Sequence, residues 1–123
     1  MRYMLSIYVD PTAEAGADMS EWWGYNQAAE KAGVLVAGDA LEAPTTATTV
    51  RLRSGERLLT DGPFAETKEQ LGGFYIVNCK DLDEAISWAE RIPSSRYGSV
   101  EVRPIMDYEA AGAPDGAAEQ TAS

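Results

Sequence analysis

The sequence contains no histidine, and that absence removes a large block of chemistry. Without an imidazole there is no Ser-His-Asp triad, no histidine general acid or base, and no histidine-ligated zinc, iron or copper. Cysteine occurs once, at Cys79, so a four-cysteine metal site and an internal disulfide are excluded as well. A bound metal would have to be a hard cation held by carboxylates. Basic residues are scarce: ten Lys and Arg stand against twenty Asp and Glu, for a net charge of −10. Nucleic-acid binding requires the opposite balance, because Lys and Arg must neutralise phosphates. Long apolar runs are also missing; none approaches the roughly 20 residues that span a bilayer. The opening Met1-Arg2-Tyr3-Met4-Leu5-Ser6-Ile7-Tyr8-Val9 has no small-residue cleavage site and runs directly into Asp10-Pro11, so it reads as a strand and not as an export signal. A lone cysteine and no export signal together predict a cytoplasmic protein without disulfides, bound to neither nucleic acid nor membrane. No phosphate loop or dinucleotide fingerprint is present, because Gly72-Gly73 leads into a strand and opens no helix; no cofactor is expected.

What is present is alternation and capping. Tyr3, Leu5, Ile7 and Val9 fall on one face of a first strand. Asp18-Met19-Ser20-Glu21 has capping-box spacing, and Trp22, Tyr25, Ala29 and Ala32 follow on one helical stripe that Gly33 should terminate. Val34 to Ala37 is a short apolar strand. Thr48 to Leu52 and Arg57 to Thr60 flank a turn at Arg53-Ser54-Gly55-Glu56, which predicts a hairpin. Phe74 to Cys79 is a further strand. Asp81-Leu82-Asp83-Glu84 repeats the capping signature before a helix with Leu82, Ala85, Ile86, Ala89 and Ile92 on its apolar face, stopped by Pro93. Val100 to Ile105 is the last strand. The Ala/Gly-rich segment 110–123 has few large apolar groups and is expected to be a disordered tail after a domain spanning 1–109.

The order β-α-β, inserted β-hairpin, β-α-β predicts an α+β fold of the ferredoxin-like, split βαβ kind. Both helices then cover one face of an antiparallel sheet. The other face also carries apolar and aromatic residues, and 123 residues supply no second layer. A second copy of the chain is the economical cover, so a homodimer is expected.

The densest segment is Thr60-Asp61-Gly62-Pro63-Phe64-Ala65-Glu66-Thr67-Lys68-Glu69-Gln70-Leu71-Gly72-Gly73-Phe74. Asp61 suits an Asx-turn, Gly62 permits a positive φ, and Pro63 fixes the next torsion. Phe64 reads as an apolar anchor, Thr67 to Gln70 as one helical turn, and Gly72-Gly73 as a sharp entry into the next strand. This run resembles the DGPF signature of the YCII-related domain family. Tyr3-Met4-Leu5, Ala32-Gly33-Val34-Leu35-Val36 before Gly38, and Gly98-Ser99-Val100-Glu101-Val102-Arg103-Pro104 support the resemblance, which covers Met1 to Met106. It implies a dimeric α+β barrel. Some members of that family are thought to pair a His with an Asp, and a few relatives act on small aromatic or lactone substrates. With no histidine here, only the acidic half carries over, and Asp39 beside Gly38 is its nearest match. Many DGPF proteins accompany extracytoplasmic-function sigma factors, which implies a regulatory alternative.

The loop admits two readings. It is a rigid crossover, or it closes a pocket over a carboxylate–ammonium cluster. In the second case Asp61, Asp39 and Glu66 are the acid–base candidates and Lys68 the electrostatic partner. Tyr8, Trp22, Tyr25, Phe64, Tyr75 and Arg103 are the candidates for holding substrate. Trp22 and Trp23 are adjacent, so both cannot enter one core. Arg103 is expected by default to form a surface salt bridge, with pairing to Glu101 of a partner chain or anion binding as the alternatives, and Cys79 is expected to be a buried, inert thiol. The expected function is binding of a small aromatic or carboxylate-bearing molecule, with cofactor-free proton transfer as the reaction: isomerisation, elimination or decarboxylation. The alternative is a non-catalytic regulator or accessory protein that binds a sigma factor or serves a biosynthetic pathway.

Overall fold

Residues 1–13 and 16–109 are described by the computed structural model; the expected tail at 110–123 lies outside the described residues. The chain runs β1 (Arg2–Val9), α1 (Met19–Lys31), β2 (Leu35–Ala40), β3 (Thr48–Arg53), β4 (Glu56–Asp61), β5 (Gln70–Asn78), α2 (Leu82–Glu90) and β6 (Ser99–Pro104), with short 3-10 helices at Pro44–Thr46 and Pro93–Arg96. Four strands form one antiparallel sheet in the order β2-β5-β1-β6. Two β-α-β units therefore interleave, which is consistent with a ferredoxin-like α+β fold.

Both helices start where local chemistry dictates. Asp18 accepts from the Glu21 N–H while the Glu21 carboxylate accepts from the Asp18 N–H, a complete capping box. Asp81 accepts from the Glu84 N–H at 2.9 Å. Gly33, at φ +73, follows the end of α1.

Strand alternation sorts the sheet. Tyr3, Leu5 and Ile7 of β1, with Tyr75 and Val77 of β5, are buried beneath the helices against Tyr25, Ala29, Ala85 and Trp88. The Tyr25 ring lies 5.1 Å from Tyr75 and 6.0 Å edge-on from Trp88, and its hydroxyl donates to the Trp88 carbonyl at 2.9 Å. Trp88 was not apparent in the apolar face read from the sequence, and it takes a core place that Leu82 and Ile86, both partly exposed, do not.

Phe74 pairs with Ser6, and Ile76 with Met4, on the opposite side of the sheet, which no helix covers. Asp39 pairs with Phe74, and Glu101 with Ser6, in the same rows. Arg103 bonds Glu101 of its own chain at 3.0 Å in an exposed salt bridge; the two are a residue apart on one strand face, within easy reach of each other.

β3 and β4 pair only with each other, as a two-stranded arm turning at Ser54-Gly55, both at positive φ. All six residues of β4 are exposed. Among the described residues, no helix is long and apolar enough to cross a membrane.

Candidate functional site

Helical spacing sets one wall of a cavity. Met19, Trp22, Trp23, Asn26 and Glu30 recur every three or four residues along the side of α1 that overhangs the β2–β5 end of the sheet. Facing them are Leu35 and Gly38 of β2, Gly73 and Tyr75 of β5, and Ile7 and Val9 of β1. Asp10 and Pro11, which follow β1, and Ser94 and Tyr97, which precede β6, also line it. This open cavity has a volume of about 720 Å³, within the roughly 300–1,000 Å³ typical of small-molecule sites.

Gly38 shapes this wall. A Cβ there would lie 2.5 Å from Cδ1 of Tyr75, so only glycine lets the Tyr75 ring lie across β2. The ring then reaches α1, where the Tyr75 hydroxyl donates to Asn26 Oδ1 at 2.6 Å. Burial raises the Tyr75 pKa, which keeps the phenol neutral and a donor.

At the loop end, Asp10 accepts from the Thr12 hydroxyl at 2.6 Å and the Thr12 N–H at 2.9 Å. These bonds hold its carboxyl below the usual range, with a smaller contribution from the Lys68 charge, so Asp10 is ionised at neutral pH. The Tyr97 hydroxyl accepts from the Ala17 N–H at 3.2 Å. Ser94 is 1% exposed, and among the described residues its Oγ has no hydrogen-bond partner.

The residues singled out from sequence separate in space. Trp22, Tyr75 and Asp39 line the cavity. The register puts the Asp39 Cβ on the sheet's outer side, so it meets the cavity at the rim. Asp61, Glu66 and Lys68 are exposed and do not line it. Tyr25 is core and borders a separate cleft of about 280 Å³ beside Arg91 and Arg96. Tyr8 and Arg103 lie outside the cavity.

Phe64 is 80% exposed and anchors nothing within its own chain, because the loop carries it away from the helix-covered core. Thr67 to Gln70 is not a helical turn either. Gln70 starts β5 opposite Val9, and its side-chain amide donates to the Ala65 and Thr67 carbonyls at 3.2 and 2.8 Å. Gly72-Gly73 lies inside β5, at the irregularity opposite Ile7 and Tyr8, and not at its entry.

Asn26, Glu30, Asp10, Ser94 and Tyr97 line the cavity beyond the residues singled out from sequence, and Trp23, the exposed member of the tryptophan pair at 63%, lines it as well. The stripe from Met19 to Glu30 was available as spacing. The contribution of Ser94 and Tyr97 required knowing where the segment after α2 returns. Among the described residues, no group of three or more acidic or thiol side chains is placed to hold a metal ion.

A small antiparallel α+β domain with a cavity under its first helix defines the class. The YCII-related domain matches residues 1–109, and the chain belongs to that family. It is similar to an uncharacterized protein of Rhizobium meliloti (strain 1021), with 46% identity over 81 residues, or 64% of this chain. The match spans 65% of that relative's length.

Proposed function

We propose that this chain is a small-molecule-binding protein of the DGPF subgroup whose ligand occupies the cavity beneath α1. The cavity itself carries the reading: about 720 Å³ walled by Trp22, Trp23 and Tyr75, with a few polar groups converging on it. If the bound molecule undergoes proton transfer, Asp39 is the expected carboxylate at this cavity, since Asp61, Glu66 and Lys68 lie outside it. A thermal-shift screen of small aromatic compounds tests the reading. Compounds that raise the melting temperature of the parent protein should lose most of that effect in Trp22→Ala. Retention of every shift in that variant would place binding elsewhere.

The working form is a homodimer in the manner of a dimeric α+β barrel. The uncovered sheet face and the apolar side of the β3–β4 arm support this. On the arm, Val50 pairs with Leu59, and Leu52 lies two residues along on the same face; all are more than half exposed. Arg51, Arg53 and Arg57 make the arm locally positive on a chain of net charge −10, which complements a second acidic copy. The same exposed arm supports the regulatory reading, in which a sigma factor or another protein replaces the second copy.

A further inference from the structure

We propose that the cavity beneath α1 takes a small organic cation: an amine carried on an aromatic or similarly flat apolar body. This rests on the cavity being a ligand site and narrows the ligand to one charge. Among the described residues, the charged ones lining the cavity are Asp10, Glu30 and Asp39, and no Lys or Arg lines it. Glu30 and Asp39 are exposed, so these carboxylates set the sign of the field at the cavity mouth, where a carboxylate ligand meets like charge. An ammonium gains from the same field.

The aromatic wall points to the same ligand. Trp22 and Trp23 both line the cavity, and indole is the best side-chain face for a cation. Trp23 is 63% exposed, an unusual state for a tryptophan unless something covers it. Ser94 supplies an independent observation. Its buried Oγ has no partner among the described residues, and buried hydroxyls are rarely left so. Ser94 lines the cavity, so a ligand N–H reaching that wall would supply the missing partner. Lys68, exposed and outside the lining, offsets part of the Asp10 charge and leaves Glu30 and Asp39 to set the sign at the cavity.

Three probes of similar shape separate charge from fit: phenethylamine, 2-phenylethanol and 3-phenylpropionate. Each is titrated into the intact protein at pH 7 while the indole N–H signals of Trp22 and Trp23 are followed by NMR. Phenethylamine should bind about tenfold more tightly than 3-phenylpropionate, and added salt should weaken only the amine. Glu30→Gln combined with Asp10→Asn should cost the amine at least threefold and leave 2-phenylethanol unchanged, so the alcohol reports on whether the cavity is intact. Ser94→Ala should weaken the amine further. If 3-phenylpropionate binds as well as the amine, the charge assignment is wrong and the cavity reading survives. If none of the three perturbs either indole, both fall.

Discussion

Tyr75 joins the sheet to α1 through Asn26, and it can do so because Gly38 has no side chain beneath its ring. The aromatic character of β5 was plain in the sequence, and so was a tyrosine wall. The dependence on Gly38 was not, because it arises from a cross-strand pairing that only the fold defines. Cys79 was legible: a lone thiol at a strand end with no base nearby is buried, at 2% exposed. Burial, with the Glu84 carboxylate adding to it, pushes that thiol up to about 11 from 9.0. Burial likewise raises Tyr25, with the neighbouring Tyr75 adding to it. Both groups hold their protons more tightly when folded. Their stabilising contribution is complete below their unfolded pKa values and is lost as pH rises through the folded ones. The urea midpoint should therefore stay level from pH 7 to 8.5 and decline between about pH 9 and 11. Cys79→Ala should flatten the first part of that decline; an unchanged slope would mean the thiol is not coupled to folding.

Helices α1 and α2 begin where the repeated Asp-x-x-Glu spacing places them, because a cap is settled by neighbours within one turn. The same kind of spacing from Thr67 to Gln70 leads to no helix. A single turn has too little hydrogen bonding to nucleate, and pairing of Gln70 with Val9 claims the backbone first. The strands were legible by alternation, with boundaries shifted by a few residues where pairing extended them. The cavity was legible only in part. Trp22 and Tyr75 were found from their own elements, whereas Ser94 and Tyr97 arrive from the segment after α2, a contact set by topology. Asp81→Ala should destabilise the protein by about 1 kcal/mol, read from chemical denaturation, because α2 carries Ala85, Trp88 and Ala89 into the core. No loss would show that the Glu84 N–H finds another acceptor.

For the whole molecule, the two sides of the sheet differ in what covers them. The helix side is closed within one chain; the other side, with Phe74, Ile76 and Met4, has no covering layer among the described residues. Light scattering after size exclusion should give twice the 13.3 kDa chain mass at micromolar concentration. Leu52→Glu with Leu59→Glu should halve that mass and leave the far-ultraviolet circular dichroism intact. A monomeric parent protein would remove the homodimer. The base of the arm carries a further consequence. The Gly62 N–H donates to the Ala47 carbonyl at 2.7 Å, so the chain enters and leaves the arm through one narrow neck. The segment between is a detachable cassette. Joining the neck directly should yield a trimmed protein with the cavity beneath α1 whole, and a domain spliced there should leave that cavity undisturbed.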